Sequence, residues 1–306
     1  MILAPMQGLT EVLFRRTYEE CFPGVIPLAV APFISLTHNL LSTTHSALPS
    51  AFDDVLPENN RESMTVVPQI LGKEPEEFVA VATRLRDMGY DEVNWNIGCP
   101  MRAITAKHRG SGILPHPDEL RAVLDEVMPR LPLRLSVKMR LGLQHADECF
   151  GVAAVLADYP LASITVHPRL GRQQYSGVPD LDTFERLLPL LKVPVIYNGD
   201  LRSQADIDGV LRRFPGLRDI MVGRGILYNP TLPLGISDAR QSALFIRRLI
   251  EAIHETFPYE QGRVRKIKEY WCLLWKSQPI SEMDARKALR EQDLETVEKI
   301  IFELLQ

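Results

Sequence analysis

The sequence predicts an α/β protein with a (β/α)₈ TIM barrel over residues 1–235, followed by a small all-helical domain over residues 236–306. Eight short apolar segments have the length and composition of β-strands, and six or more of them are followed by a segment with helical periodicity. These segments extend over roughly 225 to 235 residues, about the size of one such barrel. Beyond residue 230 the strand-like segments stop, and four segments with helical periodicity follow.

The eight predicted strands are apolar runs that end at glycine, proline or a polar residue. They are residues 2–6, 26–30, 66–70, 92–96, 135–139, 163–167, 195–198 and 220–222. Their alternation with helices favours a parallel sheet. An open, doubly wound sheet would alternate in the same way, but it normally carries a glycine-rich phosphate fingerprint after its first strand. Residues 5–8, Pro-Met-Gln-Gly, are not such a fingerprint, which favours the barrel.

The predicted helices have apolar residues at helical spacing and residues typical of helix ends. In the barrel they are residues 10–20, 76–88, 117–128, 147–157, 182–191 and 203–214, and in the tail residues 237–257, 263–276, 281–290 and 294–305. Pro117 is typical of a first helical position and Ser203 of an N-cap, while Gly89 follows the end of the second predicted helix. Residues 37–62, rich in Ser, Thr, Asn and Pro, predict a long loop or a broken helix.

The composition excludes several classes of protein. The four cysteines lie far apart with no Cys-x-x-Cys pair, which indicates neither a zinc site nor a disulfide framework and favours the reducing cytoplasm. No His and carboxylate cluster has the spacing of metal ligands, so no metal is expected. The most apolar early stretch, residues 25–36, contains two prolines and has no basic segment before it, so we expect neither a signal peptide nor a membrane span.

The charge is unevenly distributed along the chain. The formal net charge of −4 argues against wholesale adsorption to nucleic acid. Residues 240–290, however, hold 11 Lys and Arg against 6 Asp and Glu, whereas residues 1–239 hold 23 against 28. A basic run of this kind is found both on solvated helix faces and on RNA-binding surfaces, and the sequence alone leaves both readings open.

Polar or reactive residues follow six consecutive predicted strands, the third to the eighth. Because the carboxyl ends of barrel strands form one mouth, we expect these residues to converge there. One such residue is expected by chance, but a polar residue after six strands in a row is hard to explain by packing. They are Gln69, Asn96 with Cys99, Lys138, His167, Asn198, and the pair Gly223 and Arg224.

These residues favour a phosphorylated flavin as the ligand. Residues 198–200 (Asn-Gly-Asp) and 223–225 (Gly-Arg-Gly) follow strands seven and eight, where barrels bind phosphate. Lys138 can neutralise a negative ring system and favour an anionic reduced flavin. Taken singly, each residue has a structural alternative: His167 as a core histidine, Lys138 as a residue that reaches out from a strand end, and Arg224 as a surface ion pair.

A set of motifs in this order and spacing resembles the tRNA-dihydrouridine synthase family. The motifs are Pro5-Met6, residues 96–100 (Asn-Ile-Gly-Cys-Pro), 137–140 (Val-Lys-Met-Arg), 167–169 (His-Pro-Arg) with Gln173 and Tyr175, 198–200, and 223–225. The resemblance implies that FMN carries a hydride from NADPH, or NADH, to C6 of a uracil in tRNA, and that a cysteine protonates C5. It covers the whole barrel and, more weakly, the tail.

The resemblance implies a role for each matching residue. Cys99 would be the general acid, and an ordinary thiol pKa of about 8.5 agrees with a proton donor at neutral pH. Asn96, Arg140 and Arg169 would contact the substrate. The flavin would be held by Pro5, Met6, Gln69, Lys138, His167, Asn198, Asp200, Gly223 and Arg224.

The tail is similar to that of the bacterial C-type members, which modify uridine 16 of the D-loop. Residues 264–271 carry this similarity, and we expect Arg265 and Lys268 in them to bind tRNA. The expected partners are therefore tRNA and a nicotinamide nucleotide, for a monomeric, cytoplasmic enzyme. Two rival readings stay open: an FMN barrel that acts on a small molecule such as dihydroorotate, and a barrel that binds RNA without catalysis.

Three segments depart from the family pattern. Ala31-Pro32-Phe33 stands where the family often has Thr-Glu before an apolar residue, Leu170-Gly171 replaces Thr-Arg, and residues 107–109 (Lys-His-Arg) partly replace glycines. These departures spare the predicted flavin contacts but affect the segments in which RNA contacts are expected.

Overall fold

A computed structural model describes residues 1–36, 50–60 and 63–306 and confirms the predicted barrel. Each strand pairs in parallel with the next, and the eighth pairs with the first, so the sheet is closed. The strands are β1 (Ile2–Leu3), β2 (Leu28–Ser35), β3 (Thr65–Leu71), β4 (Glu92–Ile97), β5 (Arg134–Gly142), β6 (Ser163–Leu170), β7 (Val195–Tyr197) and β8 (Asp219–Val222).

The predicted helices are present with ends shifted by a few residues. Around the barrel lie α1 (Val12–Cys21), α2 (Pro75–Asp87), α3 (Arg102–Thr105), α4 (Pro117–Val127), α5 (Glu148–Leu156), α6 (Leu181–Leu187), α7 (Gln204–Arg213) and α8 (Arg224–Tyr228). The tail contains α9 (Ala239–Thr256), α10 (Glu260–Leu274), α11 (Glu282–Arg290) and α12 (Leu294–Leu304). The short helices α3 and α8 were not predicted. Of the predicted loop 37–62, residues 37–49 and 61–62 lie outside the described residues, and the rest includes two short 3₁₀ turns.

The apolar core has two parts. Most of it lies between the strands and the surrounding helices and continues into the tail. A separate small cluster of strand residues lies inside the barrel, because alternate residues of a strand point to opposite faces of the sheet. It consists of Ile2, Ala4, Val30, Val67, Ile196 and Met221. This cluster fills the inside of the barrel beneath the strand ends.

The tail packs directly on the first helix and first loop of the barrel. Phe245 of α9 meets Phe14 of α1 edge to face at 5.5 Å between ring centroids. The hydroxyl of Tyr270 donates to the carbonyl of Leu9 at 2.9 Å, and the ammonium of Lys266 donates to the carbonyl of Gly8. No helix in the described part of the chain is both long and apolar enough to cross a bilayer.

Candidate functional site

The carboxyl ends of the barrel strands surround a cavity of about 440 Å³. The structure thus brings together most residues that the strand-end pattern and the resemblance single out. Those that line the cavity are Pro5, Met6, Asn96, Cys99, Lys138, Arg140, His167, Asn198, Asp200, Gly223 and Arg224. Four other predicted residues, Gln69, Arg169, Arg265 and Lys268, are not in its wall.

The backbone amide and carbonyl of Cys99 are both held by hydrogen bonds to neighbouring residues. The Asn96 side-chain oxygen accepts from the amides of Gly98 at 3.1 Å and Cys99 at 2.9 Å, so it caps the turn that follows β4. The Cys99 carbonyl accepts from both the amide and the hydroxyl of Ser111, at 2.9 and 3.1 Å. A Cβ on Gly110 would lie 2.6 Å from that carbonyl, so only glycine fits there. The position of the thiol is therefore set from both sides of its peptide.

Gln69 contributes to this turn from beneath the cavity. Its side chain is fully buried; it accepts from the Asn96 amide at 2.8 Å and donates to Asn94 at 2.7 Å. Asn94 in turn donates to the Ser136 hydroxyl at 3.0 Å. A chain of amide hydrogen bonds thus crosses β3, β4 and β5 and ends at the turn of Cys99. Gln69 thus supports Asn96 from beneath the cavity, and its contact with a flavin stays a prediction.

The Cys99 thiol is kept protonated at neutral pH. Burial raises its pKa, and this effect outweighs a backbone hydrogen bond at Met101 and the nearby charges of Arg140 and Lys138, which lower it. A thiol with a raised pKa is a poor nucleophile but remains a proton donor. The site thus favours acid chemistry over thiolate chemistry at this residue.

Cations dominate the wall of the cavity. Burial, together with the charge of Arg140, lowers the pKa of Lys138 to about 7. Burial also lowers the pKa of Arg140 to about 10, and Arg140 donates to the carbonyls of Gly98, Leu170 and Gln174. Desolvated like charges in one cavity oppose each other unless an anion enters. The electrostatics of this site therefore favour an anionic ligand.

His167 is a neutral imidazole. Burial, followed by the charges of Arg140 and Lys138, holds its pKa well below the usual value. Its Nε2 lies 3.2 Å from Nη1 of Arg169, and a guanidinium only donates, so Nε2 accepts and the ring proton is on Nδ1. His167 can therefore donate one hydrogen bond without adding charge.

Asp200 organises the end of the cavity at β7 and β8. Its carboxylate binds both terminal nitrogens of the fully buried Arg169, at 2.9 and 2.5 Å, and Arg224 at 2.9 Å. Burial raises the Asp200 pKa, but these arginines and Arg202 outweigh it and keep the pKa below its usual range. Asp200 therefore holds Arg224 in place at the cavity wall, and its predicted contact with a cofactor stays a prediction. Arg169 is the buried partner of Asp200, and its predicted contact with substrate stays a prediction as well.

Tyr175 and Leu273 are two residues of the cavity wall, among several, that were not assigned a role from sequence. Tyr175, known only as part of a motif, is 51% exposed, and its ring lies 4.4 Å from Arg224 and 5.6 Å from Arg140. Leu273 comes from α10, so the tail forms part of the wall. A ring between two guanidinium groups presents a flat face for a base or cofactor ring.

The comparisons with known proteins agree with this site. A family model described as "Dihydrouridine synthase" matches residues 2–291. This chain belongs to the dihydrouridine synthase family. Membership confirms the resemblance that the motifs indicated.

Among curated members of the dihydrouridine synthase family, the "tRNA-dihydrouridine(16) synthase" of Pseudomonas putida is 28% identical over 98% of this chain and 95% of its own length. That of Cupriavidus necator is 28% identical over 90% and 88%. "tRNA-dihydrouridine synthase B" of Pasteurella multocida is also 28% identical, but over only 76% of this chain and 67% of its own length.

Solved structures confirm the barrel of this family member at the level of fold. Histamine dehydrogenase from Rhizobium has a TM-score of 0.58, at 11% identity over 82% of this chain and 48% of that one. Morphinone reductase has a TM-score of 0.51, at 13% identity over 79% and 88%.

The residues present fit a flavin, the type of cofactor that family membership implies. Lys138 and Arg140 are desolvated cations without an acidic partner among the described contacts. Arg224 lines the cavity beside Gly223, and its guanidinium is held by Asp200. A Cβ on Gly225 would lie 1.9 Å from the Leu201 carbonyl, so this strand-end turn admits only glycine. The positive charges of Lys138, Arg140 and Arg224 are complementary to a negatively charged ligand.

Most of the basic residues in the first part of α10, which include the predicted tRNA contacts Arg265 and Lys268, are engaged in contacts within the protein. Arg265 is exposed, but the Lys268 ammonium binds the carbonyl of Glu291. Lys266 is buried against Gly8, and Arg263 donates to the carbonyls of Phe257 and His254. Of these four basic residues, Arg265 alone is exposed and has no contact recorded among the described residues.

The departures from the family pattern fall in two places. Pro32 and Phe33 line the cavity, where they make its wall less polar. Arg109 pairs with Glu74, and Leu170 offers its carbonyl to Arg140. Of the three departures, the first alone supplies described residues of the cavity wall.

Proposed function

We propose that this protein is a tRNA-dihydrouridine synthase with FMN as cofactor and NADPH or NADH as reductant. The observation that carries the proposal is the position of the Cys99 thiol in the wall of a cavity at the mouth of the barrel, together with Lys138 and Arg140. Burial raises the pKa of this thiol, which suits it to donate a proton. Family membership and relatives named for this activity support it. A cytoplasmic location follows from the proposed tRNA substrate.

Different residues of the cavity would bind the flavin and protonate the substrate. Arg224, with Gly223, would bind the flavin phosphate, and Lys138 would lie at the ring. A bound flavin, once reduced by the nicotinamide nucleotide, would supply the hydride for C6 of uracil. Cys99 supplies the proton to C5, so hydride and proton together saturate the C5–C6 bond, and the thiolate left behind recovers a proton from water.

The substrate base would enter between Cys99 and Tyr175. A uracil stacked in folded RNA cannot reach a cavity of this kind, so it must be extruded. Asn96 retains one amide hydrogen for the base after its bond to Gln69. The exposed ring of Tyr175, which lies against Arg140, can stack on its other face.

We further propose residues 1–235 as the catalytic domain, residues 236–306 as the tRNA-binding domain, and uridine 16 as the target. Five relatives named for position 16 align over 90% or more of this chain, far enough to extend into the tail. Two others with the same name align over 76% and 77%, and synthase B aligns over 76%, so the support for uridine 16 comes from the names of most of these relatives and not from coverage alone. The exposed Arg265 and the excess of basic residues over positions 240–290 support binding of the RNA on the tail side of the cavity.

The test is a comparison of Cys99→Ala with Cys272→Ala, an exposed thiol outside the cavity. Cys99→Ala should retain flavin and its reduction by the nicotinamide nucleotide but lose dihydrouridine formation, because it removes only the proton donor. Cys272→Ala should behave as wild type in all three assays. Undiminished product from Cys99→Ala would refute the assigned role.

A further inference from the structure

Outside the cavity, three potential metal ligands converge although the sequence separates them. They are His108, His116 and Glu119, whose ligand atoms all lie within 4.8 Å of one another. The spacing of these residues in the sequence gave no indication of a metal site. His116 directly precedes α4 and Glu119 lies in its first turn, so the i, i+3 spacing puts both on one side of the helix end. His108 comes from the loop that precedes the helix.

The side chains of this His-His-Glu cluster are in contact and accessible to solvent. The two imidazole rings stack at 4.0 Å between centroids, with 16° between their planes. Nδ1 of His108 lies 2.9 Å from a carboxylate oxygen of Glu119. His116 is the N-cap residue of α4, but its side chain makes no capping hydrogen bond, so its imidazole is not needed at the start of the helix. Both rings are therefore free to turn toward a shared ligand.

We propose that the His-His-Glu cluster binds a divalent transition-metal ion, Zn²⁺ in the first instance. Two imidazoles and one carboxylate are ligands that zinc accepts, with water in the fourth position. Ligand atoms around a tetrahedral zinc lie about 3.3 Å apart. The rings must therefore splay from their stack, a movement of about 1.5 Å that accessible side chains make at little cost.

The charges around the cluster set how tightly it binds. Lys73 forms an ion pair with Glu119 and competes with a cation for it. The positive end of the α4 dipole opposes a cation as well, while Asp118 in the same turn offsets that effect. Removing Lys73 should therefore strengthen metal binding, a direction that a merely structural cluster would not show.

A metal here would act on the loop of Cys99. His108 lies in the segment between Cys99 and α4, and Ser111 in the same segment binds the Cys99 carbonyl. A metal that joins His108 to α4 fixes the middle of this segment. The inference does not depend on the proposed tRNA activity, because metal binding is measured without RNA.

The experiment is a calorimetric titration of the chelator-treated, flavin-containing protein with Zn²⁺ alone. We expect one zinc per chain, an affinity lowered at least about tenfold in His116→Ala, and a higher affinity in Lys73→Met. His145→Ala removes an exposed histidine outside the cluster and should leave binding unchanged. Thermal unfolding without metal checks that each variant is folded.

A second measurement observes the ligands directly. Co²⁺ bound by two imidazoles and a carboxylate should give a visible absorption band that His116→Ala abolishes and His145→Ala retains. Absence of stoichiometric zinc binding, or equal affinity in wild type and His116→Ala, would overturn the proposal.

Discussion

Asp200→Asn should destabilise the protein strongly, because it removes the only carboxylate that the described contacts give to a buried arginine. The Arg169 side chain is 0% exposed, and Asp200 binds its two terminal nitrogens at 2.9 and 2.5 Å. Asparagine keeps the shape of the side chain but loses the charge. The carbonyls of Ser176 and Gly177 would still accept from Arg169, so the guanidinium would keep hydrogen bonds and lack a counter-charge.

The expected loss is about 3 kcal/mol in the free energy of unfolding. Removing one partner of a buried pair costs about 3–5 kcal/mol, and the lower end applies because the Asp200 side chain is 22% exposed. The pair of Arg213 and Asp182 is a matched control, since it has the same 2.5 Å distance but exposures of 36% and 88%. Asp182→Asn should cost no more than about 1 kcal/mol.

Urea denaturation of the flavin-free proteins measures both losses, since bound flavin would add its own stabilisation. The reasoning would be refuted if the two variants differed by less than about 0.5 kcal/mol. The pH dependence gives a second check. Because the Asp200 pKa is lowered in the folded state, its contribution is complete above the unfolded pKa of about 3.9 and is lost as the pH falls through the folded pKa. The difference between wild type and Asp200→Asn should therefore be constant above about pH 5 and shrink in acid.

Three further predictions concern the ligands. Arg224→Ala should weaken FMN binding by about 1.5–3 kcal/mol, measured by quenching of flavin fluorescence, and an unchanged dissociation constant would contradict the phosphate assignment. Between pH 7 and 9, FMN affinity should fall by up to about tenfold per pH unit as Lys138, with a pKa of about 7, loses its charge; Lys138→Gln should remove this dependence. Arg265→Glu should weaken tRNA binding and lower the slope of log affinity against log salt concentration by about 1. The control Arg212→Glu, on the exposed face of α7, should change neither quantity. Lys268→Gln should change the slope less than Arg265→Glu, because the Lys268 ammonium already binds the Glu291 carbonyl.

The course of most strands and helices could be predicted because apolar periodicity and end signals are local. Strand β2 shows where local signals fail. It was predicted to end at Val30, before Pro32, yet it continues to Ser35. The register with β3 shifts between Val30 and Phe33, and in such a bulge a proline does not need to donate to the ladder. This shift depends on the neighbouring strand, which the local pattern does not contain.

The location of the site could be predicted from the sequence, but the hydrogen-bond partners of its side chains could not. Strand-end positions placed Cys99 and Arg224 at the cavity correctly, since barrel topology alone brings them there. Gln69 and Arg169 are also polar residues near the ends of strands. Their side chains, however, bind Asn96 and Asp200, which lie 27 and 31 residues away in the sequence. Whether a polar group faces the ligand or another side chain depends on those partners, and Leu273 enters the wall only through the packing of the tail.

The contact between α10 and the first barrel loop limits how this enzyme can be re-engineered. Gly8 has a φ of +78°, and a Cβ there would lie 2.6 Å from the carboxylate of Glu269. The same loop gives its Gly8 carbonyl to Lys266, and its neighbour Gln7 lines the cavity. A chimera that exchanges residues 236–306 for those of a relative would therefore have to carry a compatible loop 6–10 with it. The packing of the tail and the shape of one part of the cavity wall therefore depend on the same few contacts.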